Sequence, residues 1–452
     1  MDKELTYHFT GIKGTGMSAL ARVLKGAGYQ VQGSDVTDHF FTEEGLKEAG
    51  ITVLPFDPDN IHEGMTVICG NAFKDDHPEV VRAKELGLTV TRYHYFLGEL
   101  IKKYTSVAIT GSHGKTSTTG LMAHVLGSLK TTSYLIGDGT GKGVEDGEYF
   151  VLEADEYREH FLAYEPDYAI FTNIDFDHPD FYHNIEEVFA ANRKFAHQVK
   201  NKVIAYGDDP YLQKLKDEVD VWYYGIDNND FDIVAKDIVR NTKGSHFDVW
   251  VQGKHYGNFS IHTFGQHSIL NSLAVIGFCY LEGFAPEDVQ EALTSFKGVK
   301  RRFNERFIED MVIVDDYAHH PSEIKATIDA ARQQYPDKQV ISVFQPHTYS
   351  RTLALLDQFA EALDKSDAAY VCDIFASARE TDHHQVSSQD VLDRLTVPHA
   401  ALDLDDMTSL LAYKDAVILF MGAGDVPKYA KAYEAALLEN GHTDKELSDD
   451  DH

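Results

Sequence analysis

Short apolar runs and amphipathic stretches alternate along most of this chain. Near the start, Tyr7–Thr10, Tyr29–Gln32 and Thr66–Cys69 read as strands, with helices beginning at Met17 and Thr42 between them. That alternation predicts a parallel sheet faced by helices. A second unit begins near Ser106, with the apolar run Val107-Ala108-Ile109, a helical stretch from Thr119 to Leu129, and strands at Phe150–Glu153 and Tyr168–Asn173. Asp232–Ile238, His246–Val251 and Asn258–Ile261 then predict an antiparallel addition, followed by helices from His267 and Pro286. A third unit opens near Gly298. Its strands are expected at Met311–Val314, Val340–Phe344, Ala369–Ile374 and Val417–Met421, and its helices begin near Pro321, Thr352 and Asp405. The expected class is α/β, divided as residues 1–98, 99–297 and 298–452.

Composition narrows the partners. At 452 residues the chain exceeds one ordinary core, and 43% hydrophobic with 25% charged residues is a globular balance. A net charge of −32 argues against nucleic acid or an anionic membrane as partner. It also means that a polyphosphate must be held by local cations, helix N-termini and Mg²⁺. Cys69, Cys279 and Cys372 lie far apart in apolar runs, which predicts buried reduced thiols and a cytoplasmic protein. No secretory signal and no membrane-length apolar run is read, and the acidic Glu446 to His452 stretch is expected to fray.

The strongest chemical signal is Thr110-Gly111-Ser112-His113-Gly114-Lys115-Thr116-Ser117, set between an apolar strand and a helix. Glycines let the backbone turn its N–H groups toward a phosphate, and the helix start adds partial positive charge. Lys115 reaches outer phosphates and the Thr116 hydroxyl suits Mg²⁺, so a nucleoside triphosphate site is expected. A second loop, Gly11-Ile12-Lys13-Gly14-Thr15-Gly16-Met17-Ser18-Ala19, follows the first strand, and Asp35 follows the second. Alone this pattern fits a dinucleotide oxidoreductase or any bound diphosphate, including a nucleotide sugar. Two cradles point to one triphosphate and one diphosphate ligand.

Strand ends supply the remaining polar groups. Glu153-Ala154-Asp155-Glu156 ends one strand and is placed to ligate Mg²⁺, and Asn173-Ile174-Asp175-Phe176-Asp177-His178 ends the next. His267 and Asn271 share a helix face and are placed to contact adenine. Lys300-Arg301-Arg302-Phe303, Asp315-Asp316-Tyr317-Ala318-His319-His320-Pro321 and Gln345-Pro346-His347-Thr348-Tyr349-Ser350-Arg351 predict a ligand face in the third unit. Zinc at His319-His320 is set aside, because no third ligand stands at suitable spacing.

Taken in order, these motifs resemble the Mur ligases of bacterial cell-wall synthesis over essentially the whole chain. Met421–Asp425 belongs to the same set. The resemblance implies an N-terminal Rossmann-like UDP-binding domain, a central P-loop-type ATPase domain with an antiparallel addition, and a C-terminal Rossmann-like domain. It implies an ATP-dependent ligase joining L-alanine to the lactyl carboxylate of UDP-N-acetylmuramate through an acyl phosphate. A sister activity, attaching a whole peptide to the same sugar, is the rival within the family.

It also implies residue roles. Gly11, Gly14, Thr15, Gly16, Met17 and Ser18 would hold the diphosphate, with Asp35 near the uridine. Gly111 to Ser117 would cradle ATP, with Lys115 on the transferred phosphate. Thr116 and Glu153 would ligate one Mg²⁺ and His178 a second. His267 and Asn271 would meet adenine, and Arg302 and Asp316 would reach the ATP from the third domain. Tyr317, His319, His347 and Arg351 would hold the amino acid. Ser268, Ala318 and Thr348 depart from the family's common residues, and Asn192 or Arg193 stands where sister ligases carry a carbamylated lysine. No carbamylated lysine is therefore expected. The chain is expected to work as a monomer or weak homodimer.

Overall fold

The structure is a computed structural model that describes residues 1–376, 380 and 385–441. Three sheets organise it. The first contains β1 (Thr6–Thr10), β2 (Gln30–Asp35), β3 (Thr52–Pro55), β4 (Met65–Cys69) and β5 (Thr89–Arg92), all parallel, in the order β3-β2-β1-β4-β5. Four of the five β1 residues are buried, as expected for a strand covered on both faces. The short edge strands β3 and β5 were not among those the hydrophobic pattern marked.

The central sheet has ten strands: β6 (Thr105–Thr110), β7 (Thr132–Leu135), β8 (Gly141–Lys142), β9 (Tyr149–Glu153), β10 (Tyr168–Phe171), β11 (Lys202–Tyr206), β12 (Val221–Ile226), β13 (Ile233–Asn241), β14 (Gly244–Val251) and β15 (Lys254–Ile261). Their order is β15-β14-β13-β12-β11-β10-β6-β9-β7-β8. The sheet is parallel from β13 through to β7, while β13–β14–β15 form the expected antiparallel addition. The third sheet contains β16 (Asn304–Ile308), β17 (Met311–Asp316), β18 (Gln339–Phe344), β19 (Ala368–Val371), β20 (His399–Ala401) and β21 (Ala416–Met421). It runs β16-β17-β21-β18-β19-β20, with only β16 antiparallel.

One expected element is absent. Instead of a helix from Asp405, the chain makes turns and a single 3₁₀ turn at Leu410–Ala412. Asp403 Oδ1 accepts from Asp405 N at 3.0 Å and Asp406 Oδ1 from Thr408 N at 3.0 Å. These local side-chain bonds compete with helical pairing. The acidic stretch Glu446–His452 lies outside the described residues. The three cysteines are free and buried, and among the described residues no helix is long and apolar enough to cross a membrane.

The first two sheets share one hydrophobic core. Helix Tyr93–Ile101 buries Phe96, Leu97 and Leu100 in the cluster that also holds Phe161, Tyr164 and Phe195 of the central domain. Gly143 sits so close to helix Thr15–Gly26 that an added Cβ would lie 1.8 Å from the Val23 carbonyl oxygen. The third sheet has separate cores, centred on Phe344 and Phe359 on one face and on Phe420 and Tyr433 on the other.

A fully buried charge network fixes the first sheet. Glu79 receives hydrogen bonds from Thr10 (2.8 Å), Ser34 (2.6 Å) and Asn60 (3.0 Å), and His8 Nε2 lies 3.2 Å from it. Burial opposes the charge, yet His8, Ser34 and Asn60 prevail and bring the carboxyl down to about 2 from 4.5. A carboxyl depressed on folding stabilises fully above pH 4.5, and that contribution fades as pH falls through 2. The shift corresponds to about 3 kcal/mol. Urea midpoints of the wild type are therefore expected to fall more steeply below pH 4.5 than those of Glu79→Gln; parallel pH profiles would refute this.

Candidate active site

The phosphate loop is built by backbone geometry. After β6, Gly111 adopts φ +126° and Gly114 φ +80°. A Cβ on Gly111 would lie 2.2 Å from Thr172 Oγ1, so only glycine fits there. Asn173 Oδ1 accepts from His113 N at 2.9 Å and its Nδ2 donates to His113 O at 3.0 Å, pinning the loop to the end of β10.

Lys115 opens helix Lys115–Leu129 and is buried. Its Nζ donates to Gly111 O (2.7 Å) and to Glu156 Oε2 (2.8 Å). Burial works against its charge, but Glu156, Asp155 and Glu153 hold its pKa above the usual lysine value. Thr116 Oγ1 donates to Glu153 Oε2 at 3.0 Å, and Gly137 N donates to the same oxygen at 2.9 Å. A second group lies alongside. One ligand atom each from Asp155, Glu156 and His178 lies within 4.8 Å of the others. Glu156 Oε1 is buried without a hydrogen-bond partner. Glu153 beside Thr116, and the orphaned Glu156 oxygen grouped with Asp155 and His178, offer the oxygen donors a hard divalent cation takes, so these residues fit Mg²⁺.

Between the central and third domains lies a cavity of about 340 Å³, lined by His113, Gly114, His267, Asn271, Arg302 and Asp316 among others. His267 Nδ1 is buried without a partner, and burial lowers this imidazole to about 4, leaving it neutral. Arg302 lines the same wall and lies 3.4 Å from Glu323. Asp316 instead pins the entry to the third domain. Its carboxylate accepts from Phe303 N (2.8 Å) and Ala318 N (2.7 Å), and burial raises it to about 6. Arg301 and Phe303 both hold positive φ there, at +54° and +53°.

The amino-acid candidates also gather. His319 and His347 rings are 6.3 Å apart, and Arg351 reaches His347 Nδ1 at 3.3 Å. Tyr317 packs edge-on against His319 and under Arg302. Burial pushes His319 down to about 3, so it is neutral. Arg351 has a second engagement the sequence did not reveal. Its Nε donates to Asp177 Oδ1 at 2.8 Å, and both side chains are buried. Burial opposes ionisation of Asp177, but Arg351 holds its carboxyl well below the usual range.

In the first domain, Gly11 to Ser18 form the turn into helix Thr15–Gly26. Asp35 is committed to the loop itself: its Oδ2 accepts from Lys13 N at 2.7 Å. Lys13 in turn ties down Glu43 at 2.7 Å. Asn192 is buried, donating to Val188 O at 2.9 Å, whereas Arg193 is exposed and pairs with Glu218. Asn192 therefore is the inward-facing candidate at the position compared with the sister ligases' lysine. Glu156, Asp177, Glu323 and His320 were not singled out individually. Glu156 and Asp177 follow strand ends, which is the signal that marks them, while His320 and Glu323 stand at the start of helix Pro321–Gln334.

Three consecutive segments match Mur ligase descriptions: residues 6–105 the Mur ligase family catalytic domain, 109–279 the Mur ligase middle domain, and 301–424 the Mur ligase glutamate ligase domain. The chain belongs to the Mur ligase family. Among its relatives, the UDP-N-acetylmuramate--L-alanine ligase of Levilactobacillus brevis is 57% identical over 97% of this chain and 98% of that protein. The ligase of the same name from Lacticaseibacillus casei is 56% identical over 96% of this chain and 99% of its own length. The crystal structure of the UDP-N-acetylmuramate-alanine ligase MurC from Thermotoga maritima superposes with a TM-score of 0.77 at 28% identity, covering 96% of this chain and all of that one.

Proposed function

We propose that this chain is an ATP-dependent ligase that joins L-alanine to the lactyl carboxylate of UDP-N-acetylmuramate in peptidoglycan precursor synthesis, releasing ADP and phosphate, and that it works in the cytoplasm. The carrying observation is Lys115, a buried cation on a glycine-bent phosphate loop, facing an acidic cluster with an unsatisfied oxygen. The names of relatives more than 50% identical over nearly full length support the choice of substrates.

A carboxylate resists attack by an amine, because its carbon is electron-rich and hydroxide leaves poorly. Transfer of the terminal phosphoryl group of ATP to the carboxylate gives an acyl phosphate. The amine attacks its carbonyl carbon, and phosphate leaves. Lys115 and the loop N–H groups hold the phosphoryl oxygens and offset the charge that spreads over them. Thr116 and Glu153 would hold one Mg²⁺ and His178 a second, and these ions would supply further charge neutralisation at the phosphates.

Residues 1–98 would hold the UDP-sugar on the Gly11–Ser18 loop; residues 99–297 would bind ATP, with His267 and Asn271 on adenine. Residues 298–452 would bring Arg302 to the nucleotide, and Tyr317, His319, His347 and Arg351 to the amino acid. Burial keeps His319 neutral down to about pH 3, which makes it a weak base, so it would orient the amine by accepting a hydrogen bond.

Phosphate release with UDP-N-acetylmuramate and ATP, compared across L-alanine, glycine, L-serine and a tripeptide, tests this reading. L-alanine is expected to give the highest kcat/KM. Preference for the tripeptide would establish the peptide-attaching rival instead.

A further inference from the structure

Three side chains from distant parts of the chain meet where the third domain closes over the phosphate loop. His113 belongs to that loop, Asp175 follows β10, and His320 caps helix Pro321–Gln334 of the third domain. His113 Nε2 lies 3.1 Å from Asp175 Oδ2, and His320 Nδ1 lies 3.7 Å from the same oxygen. All three ligand atoms fall within 4.8 Å of one another. A tetrahedral ion with ligands at about 2.1 Å spaces them about 3.4 Å apart, so binding draws the three donors together and turns the imidazoles toward a common centre.

The surrounding bonds set the tautomer of His320. His320 Nε2 faces the Phe176 carbonyl at 3.2 Å, the kind of partner that fixes a metal-binding imidazole. Its Nδ1 is the unprotonated nitrogen and accepts a long 3.3 Å bond from Ser322 N, a bond that an ion bound at Nδ1 would displace. The Ser322 hydroxyl holds Asp175 Oδ2 at 2.9 Å. The two imidazole rings are tilted by 30° with centroids 4.0 Å apart, so a shared ion requires one ring to turn. Two imidazoles and one carboxylate suit Zn²⁺ and match poorly the all-oxygen demand of Mg²⁺. His113 and Ser322 also line the 340 Å³ cavity, leaving a fourth position open to it. Zinc was set aside from the sequence because no third ligand stood near His319-His320. The fold supplies the missing ligands from the central domain.

We propose that His113, Asp175 and His320 form a binding site for one Zn²⁺-class ion, which ties the third domain to the phosphate loop. Its ligands are distinct from the Thr116, Glu153 and His178 set assigned to Mg²⁺.

The test uses the full chain, stripped with chelator and returned to Mg²⁺ without nucleotide. Equilibrium dialysis is expected to give one tightly bound Zn²⁺ per chain, with a rise in Tm. Co²⁺ is expected to show the intense visible bands of a four- or five-coordinate nitrogen-containing site. His320→Asn, which keeps a helix-capping side chain, and His113→Asn should each weaken Zn²⁺ at least tenfold and remove the Tm rise. His178→Asn should leave this Zn²⁺ in place. Unchanged Zn²⁺ affinity in both His113 and His320 variants, loss of the ion on His178→Asn alone, or absence of stoichiometric binding would each overturn the proposal. An octahedral Co²⁺ spectrum of the unmutated protein would do so as well, whether or not the variants fold.

Discussion

Lys115→Met is expected to reduce ligation at least 10³-fold while leaving UDP-sugar binding within a few-fold of wild type. The loss corresponds to about 4 kcal/mol of transition-state stabilisation, the scale of removing a preorganised charge from a water-poor site. The structure adds a second effect. Lys115 is the cation bonded to Glu156, and it acts on Asp155 and Glu153 as well. Burial already raises Glu156 above the usual carboxylate value in the presence of that lysine. Without it, the Glu156 carboxyl should move further upward, and the pH profile of residual phosphate release should shift relative to that of the wild type. Steady-state assays from pH 6 to 9, with calorimetric titration of the UDP-sugar, check both. Equal loss of sugar binding in a folded variant would place the sugar on the wrong domain.

Arg351→Met is expected to cost at least 100-fold in kcat and to enlarge the particle. Arg351 and Asp177 form a buried ion pair joining the third domain to the end of β10. Removing one partner leaves a buried charge uncompensated, at about 3–5 kcal/mol. That is enough to shift a closure equilibrium by about two to nearly four orders of magnitude. Small-angle scattering in the presence of nucleotide and UDP-sugar should show a larger radius of gyration than for the wild type. Pairing Arg351→Met with Asp177→Asn should restore part of the compaction, because the stranded carboxylate is gone. If only KM for L-alanine rose and the radius stayed put, Arg351 would serve the amino acid without bridging domains.

Much of this architecture was legible because parallel strands, buried on both faces, leave long apolar runs, and because glycine loops precede helices. Strand-end acids and histidines were readable for the same reason: a parallel sheet delivers them to one edge. Some features depended on the third dimension. Nothing local couples Arg351 to Asp177, or Glu79 to His8 and Ser34; these partners meet only after the sheets form. Asp35 stands at the spacing of a ribose ligand, and its carboxylate also accepts from the Lys13 and Val36 backbone groups, a local role the spacing did not reveal. Asp316 likewise holds the turn around Phe303. The stretch after Asp405 looked helical because its apolar residues recur at helical intervals, while its aspartates favour turns.

The common core under helix Tyr93–Ile101 says where this polypeptide tolerates a cut. Severing it after residue 98 would bare Phe96 and Leu97 on one fragment and Phe161 and Tyr164 on the other, and both pieces should precipitate. Severing it after residue 298 crosses an interface held mainly by polar groups, such as Arg240 with Asp329 and Gln333 with Gly244. The shared cluster makes the front two-thirds one folding unit, so a fragment ending at residue 298 is expected to stay soluble and folded.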